Sequence, residues 1–289
     1  MGVGARLVFY AKDEPTARAA AEAAYQRLNE LDAILSDYRP DSELMRLCKG
    51  SSGEPVGVSE ELAFVLGKSL EIAAATDGAF DPTVGPVVRL WRTARKTGVR
   101  PDPAALSRAR DLVGYDKLIV DERARTVTLA KAGMMLDLGG IAKGYAVDEA
   151  IKVLADHGID RALIDLGGDL TAANPPPGAD AWRVRVDQGQ GEAHTVELVN
   201  GAIATSGDQA QHVIIDGVRF GHIIDPRTGE PLTGAHAATV TAARGILADA
   251  IASAACVLGP EARVLEDRFD GITVRVTTGE SGPLAGPQD

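Results

Sequence analysis

Residues 247–258 constrain the fold more than any other stretch. They form a helix-like run in which only Asp249 and Ser253 interrupt apolar side chains. A helix that is apolar all round offers water no face, so other elements must cover it on every side. Asp249 and Ser253 are four residues apart, which stacks them one turn apart on one helix face. Burying an uncompensated carboxylate is costly, so Asp249 needs a cation or strong donors. A hard cation such as Mg2+ accepts carboxylate, hydroxyl and backbone carbonyl oxygens. The alternative is that Asp249 caps the helix and Ser253 bonds back to the carbonyl one turn earlier. The apolar neighbours favour the metal.

The second marked stretch is Leu136-Asp137-Leu138-Gly139-Gly140-Ile141-Ala142-Lys143-Gly144-Tyr145. An apolar run ends in an acid, adjacent glycines allow a tight turn, and a helix-like segment follows through residue 153. Two glycines let the main chain approach a ligand closely, and free amides at a helix start favour an anion. Lys143 falls in that first turn, where a cation opposes the helix dipole, so it is expected to have an anionic partner. Neither a Walker A loop nor a Gly-x-Gly-x-x-Gly turn is present.

Helical patterns cover 14–36, with Ala19, Ala23, Leu28, Leu31, Ile34 and Leu35 near one face, and also 43–47, 60–76 and 84–96. Strand-like runs lie at 7–10, 161–166, 182–186, 195–198, 202–206, 211–215, 221–225, 238–242 and 272–277, and 117–129 reads as a hairpin. Strands interspersed with helices give an α+β class. One domain over residues 1–278 is expected, with 279–289 as a frayed tail. The net charge of −11 argues against a nucleic-acid backbone as partner. No run is expected to cross a membrane. Cys256 sits in an apolar stretch and Cys48 in a polar loop, which is no disulfide framework. No leader is visible, so the location is the cell envelope if one has been removed and the cytoplasm otherwise.

Other polar residues are ambiguous singly. Asp225-Pro226-Arg227-Thr228-Gly229 is a good turn by its chemistry, and Thr205-Ser206-Gly207-Asp208 suits a hairpin as well as a ligand loop. His222 has no partner spacing that suggests zinc. Tyr38 can stack on a flat ring or staple a helix end.

Taken in order, however, the motifs resemble the ApbE family of FAD:protein FMN transferases. The resemblance rests on Leu35 to Glu43, Thr76 to Pro86, Asp137 to Asp148, Ile164 to Asp169, Ala204 to Asp208, His222 to Gly229 and Asp249 to Gly259. It implies a mixed, largely antiparallel domain with an FAD cleft between sub-regions. It also implies Mg2+-dependent transfer of FMN from FAD to a Ser or Thr hydroxyl of a target flavoprotein, with AMP released. By similarity Met1, Tyr38, Ala79, Phe80, Asp81, Asp137, Lys143 and Ile223 bind FAD. The metal falls to Asp249, Ser253 and the carbonyl of Gly140, His222 matches a histidine proposed as base, and Lys143 is the second catalytic candidate. Acceptors in the family carry Asp-Gly/Ala-x-Ser/Thr-Gly/Ala-Thr. Ser253 stands where the family usually has Thr, which keeps the hydroxyl. Gln209-Ala210-Gln211 replaces a frequent aromatic and bears on flavin or target contacts. An Mg2+-dependent FAD pyrophosphatase and a flavin-binding module without turnover are the alternatives.

Overall fold

The computed structural model describes residues 2–50, 53–186, 193–207, 211–233 and 235–279. The chain opens with β1 (Ala5–Phe9), the long α1 (Glu14–Leu35) and α2 (Glu43–Gly50). There follow β2 (Val56–Gly57), α3 (Glu60–Ala75), α4 (Gly85–Thr97), α5 (Pro103–Arg110) and the hairpin of β3 (Leu118–Asp121) and β4 (Thr126–Leu129). The middle holds α6 (Ala142–Asp156), β5 (Ala162–Leu166), β6 (Asp169–Ala172), β7 (Trp182–Val186), β8 (His194–Leu198) and β9 (Gly201–Gly207). The last third is β10 (His212–Ile215), β11 (Val218–Asp225), β12 (Glu230–Thr233), β13 (Ala235–Ala242), α7 (Gly245–Leu258), α8 (Leu265–Arg268) and β14 (Thr273–Gly279). Helix starts follow local chemistry: Asp13 accepts from Thr16 N, Ser59 from Leu62 N and Asp102 from Ala105 N.

The main sheet has the order β1-β5-β6-β9-β13-β14, and every neighbouring pair in it is antiparallel. Helices α6 and α7 lie on this sheet, and α7 is buried along nearly its whole length. Its small side chains let it settle close to Ala202, Ala204, Ala238 and Val240 of the sheet. A separate cluster joins Val87 and Trp91 of α4 and Leu106 of α5 to Ile215, Phe220 and Ile224. Trp91 Nε1 donates to the carbonyl of Gly229 at 3.1 Å, tying α4 to the turn before β12. The three-stranded sheet β10-β11-β12 with α4 and α5 thus forms a sub-region beside the main sheet.

Several expectations shift. The apolar stripe of α1 runs through Ala20 and Ala24 rather than Ala19 and Ala23, one residue on. Cys48 is not in a loop: α2 continues to Gly50, and the buried Cys48 Sγ accepts from Leu136 N at 3.3 Å. Strands β6 and β12 were not expected. Strand β14 reaches Gly279, while the expected tail beyond it lies outside the described residues. The run Gly245–Arg268 has the length and hydropathy of a membrane span by composition alone. It is 67% buried against the protein's own core and is interrupted by a tight helical turn at Gly259–Val264.

Candidate active site

A cleft of about 400 Å3 opens between the two sub-regions. Tyr38, Ala79, Phe80, Asp81, Asp137, Gly140, Lys143, His222, Ile223, Asp249 and Ser253 all line it. These are all the expected site residues apart from Met1, which lies outside the described residues. Val3, two positions on, lines the cleft as well. The Thr205-Ser206-Gly207 stretch belongs to the central strand β9 and faces the same cleft, and Asp208 lies outside the described residues.

The floor is a seam between α6 and α7. A Cβ built on Gly144 would lie 2.1 Å from the carbonyl oxygen of Gly245 and 2.8 Å from Asp249 Cβ, so only glycine permits this approach. One turn earlier, a Cβ on Gly140 would lie 2.6 Å from Ser253 Oγ. The expected tight turn precedes α6, with Ile141 N donating to the carbonyl of Leu138 at 3.1 Å, and neither Gly139 nor Gly140 has positive φ. The glycine at 140 is required by the neighbouring helix, and it leaves a hollow that an alanine methyl would fill.

Asp249 is the fifth residue of α7 and does not cap it. Its Oδ2 accepts from Gly144 N at 3.0 Å, and its Oδ1 lies 3.5 Å from Lys143 Nζ. The anion at the start of α6 is therefore Asp249 itself. Lys143 also pairs with Asp169 of β6, so its expected anionic partner is a pair of buried carboxylates. Ser253 Oγ makes no hydrogen bond among the described residues, so it does not bond back along the helix. The actual cap of α7 comes from α6. Asp148 accepts from Gly245 N at 2.7 Å, Ile246 N at 3.2 Å and Thr171 Oγ1 at 3.1 Å. Burial raises the Asp148 pKa despite these donors.

The opposite wall is ionic. Arg92 of α4 bridges Asp37 at 2.5 Å and Asp137 at 3.0 Å, and its guanidinium lies 4.2 Å from the ring centroid of Tyr38. Tyr38 is 67% exposed, so a broad aromatic surface remains open to the cleft. Burial and repulsion by Asp137 push the Asp37 carboxyl up to about 6, against the pull of Arg92. The Asp81 carboxylate is committed to structure: it accepts from Thr83 N, Thr83 Oγ1 and Tyr115 N at 2.8, 2.6 and 2.9 Å.

Among the described residues no three His, Cys, Asp or Glu side chains form a metal nest. A metal here would rest on one carboxylate with a hydroxyl and a carbonyl. The hollow at Gly140 and the unbonded Ser253 hydroxyl beside Asp249 fit a hard cation of that kind. Sequence patterning missed Asp37, Arg92, Arg95, Asp148 and Asp169. Asp37, Asp148 and Asp169 lie inside the family-like stretches without standing out singly, and Arg92 and Arg95 fall outside all of them.

The ApbE family model matches residues 1–275, and the chain belongs to that family. It is 37% identical over 283 residues to an FAD:protein FMN transferase of Treponema pallidum, covering 90% of this chain and 77% of the relative. It is 33% identical to one of Escherichia coli K12, covering 90% and 76%. Among solved structures, the flavin transferase ApbE of Vibrio cholerae superposes with a TM-score of 0.87 at 29% identity, covering 97% of this chain and 92% of that one. The ApbE protein of Thermotoga maritima gives 0.85 at 30% identity, covering 97% and 94%.

Proposed function

We propose that this protein is an FAD:protein FMN transferase that moves the FMN half of FAD onto a Ser or Thr hydroxyl of a target flavoprotein. The observation that carries the proposal is the convergence of Asp249, Ser253, Gly140 and Lys143 at one place in a cleft whose other wall offers Tyr38 and an arginine between two carboxylates. The family membership and the names of the relatives support the same chemistry. In this scheme Tyr38, steadied by Arg92, stacks on a flat ring of FAD. The main chain around Ala79 and Phe80 lines the nucleotide, and Ile223 supplies an apolar contact. Asp249, Ser253 Oγ and the Gly140 carbonyl would hold Mg2+, which supplies neutralisation of pyrophosphate charge when bound.

Lys143, held by Asp169, keeps an ammonium beside the metal carboxylate, where it can balance phosphate charge. His222 on β11 takes the proton of the acceptor hydroxyl. The hydroxyl oxygen bonds to the FMN phosphorus as the bond to the bridging oxygen breaks, and that oxygen leaves with AMP. The test is mass spectrometry of the protein incubated with FAD, Mg2+ and a peptide bearing the acceptor pattern. A gain equal to an FMN phosphoester, lost with EDTA, is expected. Free FMN and AMP with unmodified peptide would make the protein a pyrophosphatase, and tight FAD binding with neither product would make it a binding module.

A further inference from the structure

We propose that a basic groove beside the flavin cleft docks an acidic stretch of the acceptor polypeptide, adjacent to the hydroxyl that receives FMN; this rests on the transferase function proposed above. The groove has a volume of about 600 Å3 and runs between α2 and α4. It shares Tyr38, Arg92, Arg95 and Asp137 with the flavin cleft, so a chain lying in it leads into the reaction site.

Five cations line the groove: Lys49 of α2, and Arg89, Arg92, Arg95 and Lys96 of α4. The acids lining it are Asp37 and Asp137, and both are ion-paired with Arg92. The other four cations have no acidic partner among the described residues. Lys49 Nζ donates to the carbonyl of Pro40 at 2.8 Å, and Arg89 reaches only the sulfur of Met135 at 2.8 Å. Arg95 Nη1 is buried without a hydrogen-bond partner among the described residues, and burial together with repulsion by Arg92 lowers its pKa. The protein as a whole carries −11, so this groove reverses the local sign of the surface. An anionic occupant relieves that strain and is steered to it from solution.

The spacing argues for polypeptide over a single phosphate. Arg89, Arg92 and Lys96 fall at positions i, i+3 and i+7 of α4, along one face. They span roughly 10 Å at the helical rise per residue. One phosphate cannot reach across that length, whereas about three residues of extended chain cover it.

The test uses two fluorescein-labelled peptides with the same acceptor pattern, one flanked by Asp and Glu and the other by Asn and Gln. Binding is read by anisotropy and transfer by mass spectrometry. Wild-type protein should bind the acidic peptide about tenfold more tightly at low salt, and the advantage should fade as salt screens it. The Arg89→Gln/Lys96→Gln variant should raise KM for the acidic peptide about tenfold, leaving kcat, the neutral peptide and FAD affinity unchanged. Arg89→Glu/Lys96→Glu should instead favour a peptide flanked by Lys and Arg, a gain that misfolding cannot produce. Equal binding of both peptides by wild type overturns the docking proposal, even if both gain FMN. So does a loss that appears in FAD affinity, which would assign the groove to the nucleotide. If neither peptide gains FMN but the acidic preference and its loss persist in anisotropy, the transferase function fails and the docking surface stands.

Discussion

Replacing Asp148 with alanine tests whether the metal helix is positioned from α6. Asp148 accepts from two backbone amides at the start of α7 and from the Thr171 hydroxyl. Arg244 lies 3.5 Å away and is 41% exposed, so it adds little. The truncation strands three buried donors. Each unsatisfied donor costs about 1–3 kcal/mol, and water entering the space left by the carboxylate recovers part of that. A net loss of about 3 kcal/mol is expected, measured by urea denaturation of the metal-free and FAD-free protein. Asp148→Asn keeps one acceptor oxygen and should lose about half as much. Because Gly245 begins the helix that carries Asp249, the start of α7 should also slide against Gly144. Transfer activity under conditions where the variant remains folded should then fall through metal affinity, and excess Mg2+ should restore part of it. A loss below about 1 kcal/mol in Asp148→Ala, with Mg2+ dependence unchanged, would refute the clamp.

Gly144→Ala places a methyl against the fixed backbone of Gly245, so a loss of at least about 1–3 kcal/mol and a lower Tm are expected by thermal unfolding; an unchanged Tm would mean the seam can open. Asp249→Ala should abolish metal-dependent transfer in the mass assay while Ser253→Thr retains it; a dead Ser253→Thr would show that this pocket has no room for the extra methyl. Asp37 has a folded pKa raised to about 6 from 3.8, so the folded state binds its proton more tightly than the unfolded chain. Its contribution is present below the unfolded value and is lost as pH rises through the folded one, a decline on the order of 3 kcal/mol between about pH 4 and 6. Urea denaturation across that range should show a shallower decline in Asp37→Asn, and an identical slope would remove the assignment.

The seven family-like motifs carried the cleft because each brings its residues to a helix start, a turn or a strand end facing the same space. What they could not carry was pairing at a distance. Arg92 is an ordinary arginine on an amphipathic helix until the fold sets Asp37 and Asp137 beside it. Asp148 reads as one more polar position on α6 until α7 arrives above it. Local ambiguity explains the smaller misses. The alanines at 17, 19, 20, 21, 23 and 24 place apolar groups all around the first turns of α1, so its stripe could not be phased to one residue. Pro231 weakens the strand signal at 230–233, and β12 tolerates it because it is an edge strand of its three-stranded sheet. The glycine at 140 reads from sequence as a tight turn open to a ligand, whereas what demands it is also the Ser253 side chain, more than a hundred positions later.

The order of the main sheet has a practical consequence for immobilising or tagging the protein. β1 and β14 are its two edges, separated by five strand spacings, or roughly 24 Å. Val3, just ahead of β1, already touches the cleft. A reporter or surface linkage attached there crowds the mouth through which a protein-sized acceptor must approach. Strand β14 ends at Gly279, two strands from Gly207 on the cleft wall, so an attachment at exposed Thr273, the other end of that strand, is the one that leaves the mouth clear.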